Sequence, residues 1–448
     1  MQQQQQQQRL HSTLKAPKNM KSHRSVSPSY SEKSIETTQE IEHSVLTYLK
    51  WQLRILKTIG LIPFYERRNR YEIRAPNKRW MLLNKLLICI KTTLCLFHIY
   101  ILISPTVLRL LFTESKTDGI SDMLDSSFSV LSNMIVSFMC MRNAKKIIRI
   151  LNNFLKIDQL FEEYPDSPTV QKQYEHNYFD ICMFAVFGYI SIIALMCVKR
   201  VIELFSIHIF LYMTFYQIEN AASCAYIVFI SGLMHLLRKR FEFINQLLAQ
   251  YNHKVFEKNA YTQTNIRVST KMHEKHSEGN FRLFAKDSKF FYVLHNDLLD
   301  IFKLINSYAG FAILAFLLYV CYALLSCAYI SSLIDFRNKV DLYGFGWVLS
   351  WIPLYVGILI LLVNNCENAT KEANKTSRIL SRIYRKDREY QNIIDEFLLK
   401  CVKQEVRFTA YGFFSIDNST MFKIFSLATS YLVILIQFKW LELSTGRK

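Results

Sequence analysis

Apolar residues along this chain come in long blocks rather than alternating with polar ones. No charged residue occurs between Lys303 and Asp335, from Leu342 to Cys366, from Ile181 to Val198, or from Thr92 to Leu108. A hydrocarbon core about 30 Å thick takes roughly 20 apolar helical residues, so blocks of this length predict membrane-spanning helices. Seven spans are predicted, at about 81–104, 122–141, 179–200, 204–230, 307–333, 342–363 and 421–440. The second opens on Asp122 and Asp125, and the seventh is shorter, with 15 uncharged residues from Ile424 to Phe438. The strands of a membrane barrel would be shorter and would alternate. Only 11 Gly and 8 Pro in 448 residues also suit long helices. The fold class is therefore all-α, a membrane protein of seven transmembrane helices.

The segments between the spans differ in kind. Residues 1–43 are low-complexity and polar, MQQQQQQQ followed by scattered Ser, Lys and Arg. They are predicted to be disordered and do not have the apolar stretch of a signal peptide. Within 44–80, YLKWQLRILKTIGLIPF (48–64) reads as an amphipathic helix on the inner leaflet. After span four, in the loop 238–306, helical spacing continues through Phe241, Ile244, Leu247 and Leu248. After span six, in 364–420, it continues through Ile379, Leu380, Ile383, Ile393, Ile394, Phe397 and Leu398. Helices should therefore project beyond the membrane, and their apolar stripes must pack on something, either neighbouring subunits or the same subunit. The polar, basic stretch 253–290 is predicted to be a flexible loop. Its His273 and His276 have no acidic or Cys companions at ligand spacing and read as solvated, so no metal or cofactor is expected.

The net charge of +19 has a location. Lys plus Arg number 15, 6, 12 and 10 in segments 1–80, 142–178, 238–306 and 364–412, but 2, 2, 2 and 3 in 105–121, 199–203, 334–341 and 439–448. The alternation is unbroken. The positive-inside rule then predicts a cytoplasmic N-terminus and an extracellular C-terminus, with 441–448 as an external tail. This is the reverse of a G-protein-coupled receptor, and neither Asp-Arg-Tyr after span three nor Asn-Pro-x-x-Tyr in span seven is found. Because membrane orientation accounts for the basic charge, no nucleic-acid partner is expected. Eight of the ten cysteines lie in or beside spans, and the outer loops hold none. Sequons at Asn368, Asn374 and Asn418 fall on the predicted cytoplasmic side and should be unmodified. G-x-x-x-x-G-K-[ST], H-E-x-x-H and G-x-S-x-G are all missing, so no enzyme is indicated. A transporter would show internal repeats, and none is seen.

One polar residue stands near the far end of the last apolar helix, Gln437 in SYLVILIQF (430–438). Ser430, Tyr431, five apolar residues, Gln437 and Phe438 resemble the C-terminal signature of the insect gustatory receptors, Thr-Tyr-(five apolar)-Gln-Phe, with serine in place of threonine. YGFFSIDNSTMF (411–422) is similar to the Gly-x-Phe-x-(apolar)-Asp block that precedes the last span in that family. LKTIGLIPF, LRKRFEFINQLL and ENATKEANKTSRIL also look like family segments. The resemblance touches most of the chain beyond residue 48, and its specific motif lies in the last 40 residues.

The resemblance implies a tastant-gated, non-selective cation channel of the gustatory neuron's plasma membrane, similar to the insect odorant receptors. It implies homo- or hetero-tetramers with other receptor subunits. Helix seven (421–440) would line one central pore, the outer halves of spans one to six (81–363) would bind ligand, and 364–420 would form the anchor between subunits. Tyr431, Ile434, Gln437 and Phe438 are then pore or gate residues. A Phe438 ring closes by dewetting, and a Gln437 ring hydrates a passing ion. The alternative for Gln437 is an interhelical hydrogen bond. A metabotropic seven-helix receptor remains the alternative class.

Polar and aromatic stripes in the outer halves mark a candidate pocket for a small-molecule tastant. His208, Tyr212, Tyr216 and Asn220 are four apart in span four, as are Trp347, Trp351 and Tyr355 in span six. Tyr322 and Tyr329 lie seven apart in span five. The competing reading is an interfacial aromatic belt or plain packing, and for Trp347 the belt is preferred. Asp122 and Asp125 are candidates to attract a cationic ligand or permeating cations. Glu219, an acid deep in the membrane, has Lys91 and Lys199 as candidate partners. The pocket is more aromatic than polar, which leans toward a bitter or other apolar plant compound rather than a sugar.

Overall fold

The computed structural model describes residues 45–63, 65–69, 72–74, 78–105, 116–162, 178–204, 207–264, 273–332, 342–384 and 405–445. The segment 1–43 and the stripe residues Ile393, Ile394, Phe397 and Leu398 lie outside them. Short helices α1 (Val45–Tyr48) and α2 (Lys50–Thr58) precede a two-stranded hairpin, β1 (Glu66–Asn69) and β2 (Glu72–Arg74). Then follow α3 (Lys78–Leu102), α4 (Lys116–Arg142), α5 (Ala144–Glu162), α6 (Tyr178–Leu204), α7 (Ile207–Thr264), α8 (His273–Ser332), α9 (Leu342–Tyr384) and α10 (Asn418–Thr445). Seven of these, all but α1, α2 and α5, are long and apolar enough to cross a membrane. They coincide with the seven predicted spans.

Helix length sets the shape. α7 has 58 residues and α8 has 60. At 1.5 Å per residue each runs about 90 Å, roughly three times the hydrocarbon thickness. α9, with 43 residues, also overruns it. Their excess lengths lie on one side and pack on one another. Phe241, Ile244, Leu247 and Leu248 of α7 are buried with Leu294, Leu298 and Phe302 of α8 and Ala369 and Ala373 of α9. Thr376 of α9 donates to Asn245 Oδ1 at 2.8 Å, and Asn245 Nδ2 donates to the Glu372 carbonyl at 2.9 Å. The stripe that continues α7 thus finds partners within the subunit.

Three local readings change. Residues 253–264 and 273–290, expected as a loop, continue α7 and α8 as helix. They lack an apolar stripe but carry no proline, and a helix already nucleated extends at little cost. The helix expected over 48–64 ends at Thr58. Gly60 takes φ +82°, its N–H bonds the Lys57 carbonyl, and Leu61 N–H bonds Leu56 O at 2.9 Å, a glycine-terminated helix end. The apolar face of α2 (Leu53, Leu56) is buried against α6 and α7 rather than turned to lipid. Finally, α5 fills most of the segment between the second and third spans, for which no helix is predicted. Its Ile147, Ile150, Leu151, Phe154 and Leu155 are all buried.

α5 is locked to α7 by a buried ion pair. Arg240 donates through Nε and Nη2 to Asp158 Oδ1, at 3.1 and 2.7 Å, and through Nη1 to the Leu236 carbonyl. Its guanidinium also sits 4.8 Å from the Phe154 ring centre. Extended segments are strapped to helices by asparagine amides, which match one backbone N–H and one C=O. Asn152 holds Ile73 with two bonds of 2.8 Å. Asn374 holds Val406 N–H at 3.0 Å and its carbonyl at 2.9 Å.

Candidate functional site

The half of the bundle away from the projecting helix ends contains a hydrogen-bonded aromatic cluster. It joins four helices. Tyr319 of α8 is its hub, donating to Asn220 Oδ1 at 2.6 Å and lying 2.6 Å from the Tyr355 hydroxyl. Tyr355 of α9 also donates to Asn220 Oδ1 at 3.2 Å. Tyr216 of α7 donates to Asp125 Oδ2 of α4 at 2.7 Å and is 3.3 Å from the Tyr319 hydroxyl. Trp351 stacks on Tyr355 and meets Tyr216 edge-on, each at 5.6 Å between ring centres. Trp347 lies edge-on to Trp351 at 6.4 Å.

Three polar atoms facing this cluster are shut from solvent and have no hydrogen-bond partner among the described residues: Asp125 Oδ1, Trp347 Nε1 and Trp351 Nε1. Unsatisfied buried groups cost free energy and collect where a ligand or water belongs.

The structure therefore brings together Tyr216, Asn220, Trp347, Trp351 and Tyr355 from the predicted stripes. Tyr212 belongs to an adjoining group, bonded to Ser126 of α4 and edge-on to His98 of α3 at 5.6 Å. Tyr322 turns aside, donating to the Ser121 carbonyl at 3.2 Å and packing on Phe128. Tyr329 is fully buried farther along α8. His208 is half-buried and makes no hydrogen bond among the described residues. Tyr319 was missed, although it stands three residues before Tyr322 and so at helical spacing from a residue that was named.

Among the described residues Glu219 hydrogen-bonds His98, while Lys91 is close enough to interact with it electrostatically. His98 Nδ1 lies 3.1 Å from Glu219 Oε2, and both groups are buried. Lys91 Nζ is buried without a hydrogen-bond partner among the described residues, and the Lys199 side chain lies outside them. Imidazole reaches the acid because residue 98 of α3 is level with residue 219 of α7. Sequence spacing within one helix carries no such information.

A tight hairpin connects this helix bundle to α10. Thr409 and Ser415 bridge it, and Tyr411 and Gly412 turn it with φ of +53° and +83°. Asn306 of α8 accepts from Thr409 N–H at 3.0 Å and donates to its hydroxyl at 3.2 Å. Gly310 lets the hairpin close on α8, because a Cβ there would stand 3.0 Å from Tyr411 N and 3.3 Å from Thr409 O. The hairpin ends at Asp417, which caps α10. Ser415 and Ser419 hydroxyls donate to it at 2.6 Å and Thr420 N–H at 3.0 Å. Burial opposes its charge, but these hydrogen bonds outweigh burial and hold its pKa down at about 2. Glu367 of α9 accepts from Asn418 N–H at 2.9 Å.

α10 itself is nearly bare. Ile424 is buried and Met421 and Phe425 pack on the core, but only 6% of its apolar window is covered by the rest of the chain. Tyr431, Ile434, Gln437 and Phe438 are all exposed. At 100° per residue, Leu427, Tyr431, Ile434 and Phe438 share one face, and Gln437 flanks it.

A family model described as 7tm Chemosensory receptor matches residues 49–442. Gustatory and pheromone receptor 32a of Drosophila melanogaster is 35% identical over 411 residues, which is 90% of this chain and 87% of that protein. Gustatory receptor 68a of the same organism is 29% identical over 336 residues, 73% and 79% of the two chains. The fold is similar to that of the insect olfactory receptor OR5 from Machilis hrabei, solved in complex with eugenol. The TM-score is 0.57 over 87% of this chain and 99% of that one, at 14% identity, which bears on the fold alone. On the matched span and the identity to a relative aligned over most of both chains, the chain belongs to the insect chemosensory receptor family, as a multi-pass plasma-membrane gustatory receptor and not an enzyme.

Proposed function

We propose that the protein is a tastant-gated, non-selective cation channel, with α10 lining a pore shared by homo- or hetero-tetrameric subunits. The observation that carries this reading is the bareness of α10. Lipid can cover the apolar residues of a helix only 6% covered by its own chain, but the exposed glutamine near one end needs water or a polar partner beyond this subunit. Copies of itself around an axis suit both features: the apolar residues pack, and the amide faces water. In that arrangement Phe438 closes the pore by dewetting and Gln437 hydrates an ion when it opens, while Ile434 and Tyr431 line the path below. The hairpin 408–416 and the projecting helix ends are the anchor through which the pocket acts on α10. The N-terminus is cytoplasmic and the C-terminus external.

The ligand pocket in this reading is the cluster of Tyr216, Asn220, Tyr319, Trp351 and Tyr355, with Tyr212, His208, Trp347, Tyr322 and Tyr329 around it. Its aromatic faces outnumber its hydrogen-bonding groups, which fits a small organic tastant better than a sugar. The olfactory receptor of similar fold was solved with eugenol, itself a small aromatic compound. An epitope after Lys448 tests the topology. Staining of intact cells supports the channel and removes the metabotropic alternative. Staining only after permeabilisation, with surface delivery confirmed independently, overturns the orientation and the channel with it.

A further inference from the structure

The ligand class can be narrowed, an inference that rests on the pocket reading above. Among the described residues, Asp125 is the one carboxylate hydrogen-bonded into the aromatic cluster, and it is half satisfied. Its Oδ2 accepts from Tyr216 at 2.7 Å, while Oδ1 is shut from solvent with no hydrogen-bond partner among the described residues. No ion pair to Lys, Arg or His is made by Asp125 among those residues. Ionised, Oδ1 lacks a donor; protonated on Oδ2, the acid can donate to the Tyr216 hydroxyl, but Oδ1 still lacks a donor. An ionised carboxylate held this way inside a membrane is costly unless a cation or water completes it.

The surroundings suit an organic cation. The Tyr216 ring that bonds Asp125 meets Trp351 at 5.6 Å, and Trp351 stacks on Tyr355. Stacked tryptophan and tyrosine faces attract ammonium groups. Trp351 is 2% exposed, and its Nε1–H lacks an acceptor among the described residues. It leaves a donor for an oxygen on the same ligand.

We propose that the pocket binds a protonated or quaternary amine on an aromatic body that also carries an oxygen acceptor, with Asp125 as counter-ion, the Tyr216, Trp351 and Tyr355 rings as cage, and Trp351 Nε1 as donor.

The test is equilibrium binding of radiolabelled choline phenyl ether to membranes bearing the full-length receptor. Saturable binding is expected, and the neutral isostere with carbon replacing nitrogen should not compete. Asp125→Asn should weaken binding about tenfold or more and Asp125→Glu much less. Trp351→Phe should weaken it too. Surface tags confirm that each variant is folded and delivered. Equal competition by the isostere, unchanged binding in Asp125→Asn, or no saturable binding overturns the inference, and the last two outcomes indicate that water alone satisfies Oδ1. The channel reading fails separately. Currents evoked by neutral tastants would sustain it even if the amine does not bind, and amine binding without any evoked current would count against it alone.

Discussion

Asn374→Ala removes the amide that holds Val406 by both its N–H and its carbonyl, at 3.0 and 2.9 Å. Two half-buried bonds are lost at about 0.5–1.5 kcal/mol each, roughly 1–3 kcal/mol in all. Alanine recovers about 0.6 kcal/mol of helix propensity in α9. The net cost is then about 0.5–2.5 kcal/mol, enough to unfasten a segment but not to unfold the chain. That segment leads into the hairpin between the α8–α9 bundle and α10. The expected result is a smaller maximal ligand-evoked current with unchanged ligand affinity, because the aromatic cluster is untouched. Asn374 also begins a sequon, so Asn368→Ala is the control. It deletes another sequon without breaking any hydrogen bond described in the structure and should behave as wild type. If both variants lose current alike, carbohydrate rather than the strap is responsible, and the predicted topology fails as well. If Asn374→Ala is wild type in current, the hairpin does not couple pocket to pore.

Other outcomes follow from the same contacts. Tyr319→Phe removes the hub hydroxyl between Asn220 and Tyr355 and should shift ligand dose–response by about tenfold, at about 1–1.5 kcal/mol for a hydrogen bond, with surface level kept. Asp158→Ala leaves Arg240 buried and uncompensated, a loss of about 3–5 kcal/mol, and surface delivery measured by flow cytometry should collapse. Asp417 has a folded pKa of about 2, below its ordinary 3.8, so its stabilisation is full above the ordinary value and is lost as pH falls through about 2. The stability advantage of wild type over Asp417→Asn in detergent should be constant from neutral pH to about pH 5 and shrink between about pH 4 and 2.

The sequence disclosed what depends on local composition. Spans were legible because hydropathy acts residue by residue, whereas FSIDNST stood out only as a family likeness, and its capping role appears in the bonds of Asp417 to Ser415, Ser419 and Thr420. The stripes correctly paired Tyr216 with Asn220 and Trp351 with Tyr355, since those faces follow from one helix's geometry. Which helix each stripe meets is a long-range fact. Tyr319 at Asn220, His98 at Glu219 and Asn306 at Thr409 are separated by about a hundred residues in sequence and had no local signal. α5 is a different case. Its apolar spacing from Ile147 to Leu155 was present in the sequence but lay in a segment counted only for charge.

The central claim, that α10 lines the pore, is tested most directly by cysteine accessibility. Tyr431, Ile434 and Phe438 are replaced by Cys one at a time, with Ile436→Cys as a half-buried position on the opposite face. A charged, membrane-impermeant thiol reagent is applied outside during ligand-evoked current, with unmodified receptor as background for the ten native cysteines. Rapid block at Ile434→Cys and Phe438→Cys when ligand opens the channel, and none at Ile436→Cys, is the predicted result. Current unaffected at all four positions, or modified alike on both faces, would contradict a pore lined by this helix.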